Sequence, residues 1–242
     1  MRLLTKAWYQ TMQDSGLGVQ LVADDRAAAY SEEVFQTLWD RKLEEWMELR
    51  AELEEEFDEG QERRLFREGY LCDLEIFRTR TPAKILEKVA DIRVLALGFC
   101  TAEVYRDFSD YRALCEKWTE KTMEEAWNMC VSQGLDQIWT GEHTLHDSLI
   151  LTMKREGEDL VIEFEYDADA TWPEIKAARF RDAQILKQEQ PVENAWWLYD
   201  EIWRTGEGTF EIHALLWRED DLCELTIECR EPELIWTFPP AE

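Results

Sequence analysis

Near residue 140 the spacing of apolar residues changes from three or four to two, and this change limits the fold more than any motif does. Side chains three or four apart share one face of a helix, whereas side chains two apart share one face of a strand. The chain is therefore expected to be α+β. A helical region over residues 1–139 precedes a mostly antiparallel β-sheet region over 140–242, packed separately or as one domain.

The helical pattern runs from about residue 24 to residue 133. Ser31 is placed to cap a helix, with Glu32 and Glu33 favourable to its dipole. Phe35, Trp39, Leu43, Trp46, Leu49, Leu53 and Phe57 then form one amphipathic stripe, which Gly60 ends or interrupts. Thr81-Pro82 reads as the N-cap and first turn of a helix carrying Ile85, Leu86, Val89, Ile92 and Ala96. Ser109 opens a third stretch through Tyr111, Leu114, Trp118 and Trp127, and Gly134 closes it.

In the second half, Leu149 to Arg155 and Leu160 to Tyr166 flank the short polar stretch Glu156-Gly157-Glu158-Asp159, a hairpin signal. Trp196 to Arg204 and Thr209 to Trp217 flank Thr205-Gly206-Glu207-Gly208 in the same manner. Cys223, Leu225, Ile227 and Cys229 alternate with Glu224, Thr226 and Glu228, the pattern of a strand with one apolar face.

Acidic residues number 54 against 27 basic ones, a formal charge of −27 on 242 residues. Such a charge disfavours nucleic acid and anionic membranes and favours basic partners. Disorder does not follow, because 45% hydrophobic residues and 12 tryptophans supply a core. No apolar run approaches the roughly 18 residues of a membrane span. Met1 to Gly18 lacks the apolar segment of a secretory signal. The six cysteines show no CxxC pair or scaffold spacing, so reduced thiols in the cytoplasm are expected.

No catalytic motif, Gly-rich phosphate loop or basic patch is visible, so no catalytic residue and no cofactor is assigned. His143, His146 and Asp147 form an HxxHD cluster, with His213 elsewhere in the same half. Imidazoles and a carboxylate can bind zinc or iron, but residues three apart on a strand point in opposite directions. His213 shares a strand face with Glu211. Adjacent Trp196 and Trp197 must face opposite ways on a strand, which leaves one of them as a contact anchor. Glu52, Glu54, Glu55, Glu56, Asp58 and Glu59 make the densest acidic run, suited to steering a basic partner.

The opening Leu4-Thr5-Lys6-Ala7-Trp8-Tyr9 resembles the start of an uncharacterised bacterial family, a domain of unknown function. Leu145-His146-Asp147-Ser148, Trp197-Leu198-Tyr199-Asp200-Glu201-Ile202, Phe210-Glu211-Ile212-His213-Ala214-Leu215-Leu216 and Glu224-Leu225-Thr226-Ile227 are similar to its later strands. The resemblance implies an α+β chain of the bacterial cytoplasm and brings no activity, cofactor or site residue.

The expected function is a non-enzymatic, immunity-like binding protein for a basic protein partner, with no nucleic acid and no membrane involved. One alternative is a metal-dependent enzyme using His143, His146, Asp147 and His213. Another is a small-ligand or sugar-binding module with tryptophans lining a cleft. Oligomeric state is not written in the sequence.

Overall fold

The computed structural model describes residues 1–53, 57–136, 145–167 and 173–237. The fold is α+β, with helices to about residue 132 and antiparallel strands after it. The chain divides into two compact units, residues 11–117 and residues 1–10 with 118–242. Helices α1 (Lys6–Asp14) and α6 (Ala102–Ser132) each contribute residues to both.

The helical unit contains α2 (Glu32–Leu53), α3 (Glu59–Arg80) and the short α4 (Ala83–Leu86) and α5 (Ile92–Ala96). Two-residue strands β1 (Val22–Ala23) and β2 (Phe99–Cys100) pair in parallel. Phe77, Leu95 and Phe108 anchor one core cluster, and Leu38, Val94 and Phe99 a second. Several boundaries differ from the sequence reading. Gly60 does not end a helix but lies in the first turn of α3, because Asp58 caps that helix by accepting from the Gln61 amide at 3.0 Å. The stretch after Thr81-Pro82 is two short helices, because Asp91 starts a new one by accepting from the Arg93 amide. The long helix α6 starts at Ala102 rather than Ser109. The Thr101 hydroxyl caps it, and Val104 and Phe108 extend the apolar period upstream of Tyr111.

The other unit holds an eight-stranded antiparallel sheet among its described residues. Its strands are β3 (Ser148–Glu156), β4 (Asp159–Phe164), β5 (Ile175–Arg181), β6 (Gln184–Gln188), β7 (Trp196–Gly206), β8 (Thr209–Arg218), β9 (Asp221–Cys229) and β10 (Glu231–Trp236), in the order β10-β5-β4-β3-β7-β8-β9-β6. Both expected hairpins are present, with Gly157 and Gly208 at positive φ in their turns.

Asp182 and Ala183 alone join β5 to β6, although these strands stand near opposite ends of the order. Arg230 alone joins β9 to β10. Two residues span no more than about 10 Å, so the ends of the sheet must meet. They do. The ladder of β6 with β9 continues into that of β5 with β10 through the Arg230 amide, which donates to the Arg181 carbonyl at 2.9 Å. The sheet thus closes around Ile150, Phe164, Phe180, Trp197, Ile212 and Leu225. Cys223, Leu225, Ile227 and Cys229 all point into this core, as their alternation requires.

Candidate functional site

The C-terminal half of α2 does not bury its apolar stripe. Phe35 and Trp39 pack on the helical core, but Leu49, Leu53 and Phe57 are exposed. Alongside them lies a groove of about 590 Å³ between α2 and α3. Asp40, Glu44 and Glu48 recur every four residues and put one carboxylate per turn along one side. Leu43, Met47 and Ala51 form the apolar row beside them, and Phe57 adds an aromatic ring. Arg63 also lines the groove, but Glu59 holds its guanidinium at 2.8 Å. Within the acidic run of the sequence, Glu59 therefore lines the groove and Asp58 caps α3. Glu52 is exposed, and Glu54, Glu55 and Glu56 lie outside the described residues.

Of the two adjacent tryptophans, Trp196 is the surface one, 42% exposed. Trp197 cannot serve as an anchor while the sheet is intact. It is fully buried, its indole Nε1 donates to Asp200 Oδ2 at 2.7 Å, and its ring meets Phe164 edge-on. The pleat decides this, since successive residues on β7 face opposite ways. Opposite Trp196 stand Leu149 on β3 and Trp217 on β8, and Trp217 in turn faces Leu222 on β9. Four apolar residues therefore cross the outer face in one register row.

The histidines have separate surroundings. His146 Nδ1 donates to the Leu198 carbonyl, its ring lies 4.7 Å from that of Tyr199, and Nε2 is 3.6 Å from Asp147 Oδ2. His213 Nε2 donates to Glu211 Oε2 at 3.0 Å, and Nδ1 faces the Thr226 hydroxyl at 3.4 Å. Burial pushes the His213 imidazole below its ordinary range despite Glu211. Among the described residues no group of three His, Cys, Asp or Glu side chains is placed to hold a metal ion, so His146, Asp147 and His213 do not form one between them. His143 lies outside the described residues.

Beside His213 on the same face is Glu201, a residue sequence reasoning passed over. It is only 6% exposed. Its carboxylate accepts the backbone amides of Arg2 (3.1 Å), Leu3 (2.9 Å) and Leu4, and the Trp203 indole at 2.9 Å. The Arg2 guanidinium lies over the Trp203 ring and pairs with Glu211 at 2.9 Å. Four donors on one buried carboxylate offset its desolvation and tie residues 2–4 to the sheet.

Residues 101–228 match the family model described as "Protein of unknown function (DUF4085)". That is more than half of the chain. The chain belongs to the DUF4085 family. No curated protein and no solved structure matches it. The DUF4085 match includes Trp196, His146, Asp147, Glu201 and His213, as well as the strand segments on which the family resemblance was read. The opening Leu4 to Tyr9 and the acidic groove fall outside it. Family membership therefore carries the α+β sheet region and leaves the groove to be judged on its own chemistry. Among the described residues no helix is long and apolar enough to cross a membrane.

Proposed function

We propose that this chain is a non-enzymatic binding protein for a basic protein partner, which seats an amphipathic cationic segment in the groove between α2 and α3. The supporting observation is the groove's composition: a carboxylate on every turn of α2 beside a continuous apolar row. Bringing three like charges to i,i+4 spacing costs the free helix roughly 0.2–0.5 kcal/mol per pair, a cost that a cationic ligand removes. Complementary charge would set the association rate and the register, while Leu43, Met47 and Phe57 would supply apolar contact. Neutralising a basic toxin in a reducing bacterial cytoplasm is one concrete form of this role. The net charge and the five buried cysteines fit it.

The test is fluorescence anisotropy with a labelled amphipathic Lys/Leu helical peptide. The double variant Glu44→Lys/Glu48→Lys should weaken binding about tenfold or more at physiological salt. A control with the same net charge, Glu207→Lys/Asp220→Lys, should weaken it far less. Equal losses would mean that bulk charge alone attracts the peptide, and the groove reading would fall.

A further inference from the structure

Trp46 and Lys42 do not face the acidic groove. They lie on α2 about half a turn away from Asp40, Glu44 and Glu48, and they line a separate cleft of about 190 Å³ within the helical unit. A void of about 150 Å³ holds one benzene ring, so this cleft accommodates a single ring or a short branched chain.

Its walls are aromatic and held in place. The Trp46 indole donates to Glu62 Oε2 at 3.1 Å. Phe66 and Tyr70 both meet Trp39 edge-on, with centroids 5.0 and 4.9 Å away. Lys42 contributes its methylene stem, because its ammonium is drawn to Glu45 at 3.1 Å and lies over the Phe99 ring. The charge left at the wall is that of Asp73. This carboxylate is half-buried, and among the described residues it has no hydrogen-bond or ion-pair partner. Burial alone acts on it and pushes its carboxyl up.

The backbone leaves this cleft open. Gly69 lies in the interior of α3, one turn before Asp73, where a glycine disfavours the helix relative to alanine. A Cβ placed there would meet no atom within 4 Å. Packing therefore does not require the glycine, and a larger side chain would occupy the space over Asp73.

We infer that this cleft binds a small organic cation: a primary amine or quaternary ammonium carried on an apolar body about the size of one ring. Asp73 takes the charge, Trp46, Phe66 and Tyr70 present their faces to the cation and its apolar body, and Gly69 leaves the entrance clear. A neutral ligand would leave the carboxylate desolvated and unpaired, and an anion would be repelled.

Isothermal titration of the full chain at physiological salt tests this, with phenethylamine and tetramethylammonium as probes, 2-phenylethanol as neutral isostere and 3-phenylpropionate as anion. Phenethylamine should bind at least about tenfold tighter than the alcohol, and the anion more weakly still. Asp73→Asn should reduce the amine preference to about twofold or less, as removal of the charge pair requires. Gly69→Leu should abolish binding of every probe while leaving the melting temperature unchanged or higher, since leucine favours the helix. The proposal is overturned if neither cation binds below about 10 mM, if amine and alcohol bind alike, or if Asp73→Asn keeps the preference. Retained binding in Gly69→Leu would equally place the probe elsewhere.

Discussion

Glu62 in the helical unit and Glu201 in the sheet unit are both almost fully buried, yet they are satisfied in opposite ways. Glu62 takes its donors from side chains: Arg50 Nε at 2.9 Å and the Trp46 indole at 3.1 Å. Glu201 takes three of its four from the backbone of residues 2–4, and the nearby cation, Arg2, goes to Glu211 instead. The first arrangement is an ion pair that could be exchanged for apolar side chains. The second is a carboxylate acting as a template for main chain, which no single substitution can imitate. A buried acid is thus a local packing choice in one place and a determinant of chain path in the other.

The largest expected effect follows from that contrast. Glu201→Ala should lower stability by about 3 kcal/mol or more, because several buried donors lose their acceptor together. Urea denaturation would measure the loss, and hydrogen exchange should show the amides of residues 2–4 opening faster than the sheet. The Glu62 pair should behave differently. Glu62→Ala alone should cost about 2 kcal/mol, whereas the double variant Arg50→Met/Glu62→Met should stay within about 1 kcal/mol of the parent. A double variant as damaged as the single one would erase the distinction between the two regions.

The smallest effect concerns pH. His213 has a folded pKa below its ordinary value of about 6.5, so the folded state binds fewer protons than the unfolded state between those two values. Its neutral form is favoured in the fold, and its contribution is complete above about pH 6.5. Stability should be lost as the pH falls through that value toward the folded pKa. His213→Gln should make the urea midpoint less dependent on pH between about 7.5 and 5.5 than in the parent. The helical unit holds no histidine, so a matching pH slope there would point to another group.

Much of the fold was legible. Period-two alternation located β3, β4, β7, β8 and β9, because one face of each lines the sheet core. Strands β5, β6 and β10 were missed. They are short and cross from one part of the sheet to another, so their alternation is broken at Asp182 and Arg230. The α2 stripe was found, but periodicity alone cannot tell a buried stripe from one left at the surface, and Leu49 and Leu53 turned out exposed. The candidate sites were less legible. Glu201 sits in a strand where nothing local distinguishes it from an exposed acid, and its donors lie nearly two hundred residues away. Asp73 and Gly69 did carry a signal, a glycine and an acid one turn apart inside a helix, though only the surrounding aromatic rings give it meaning.

The continuous ladder between residues 175–188 and 221–236 has a kinetic consequence. Until residues 231–236 dock, β5 presents a bare row of amides and carbonyls to any passing chain, and loop closure over some fifty residues must precede that docking. Once it is seated, β5 is paired on both sides, and the open strand edges among the described residues are those of β6 and β10. Loss of residues 231–236 should therefore harm the protein through self-association at β5 as well as through the ladder it makes with that strand.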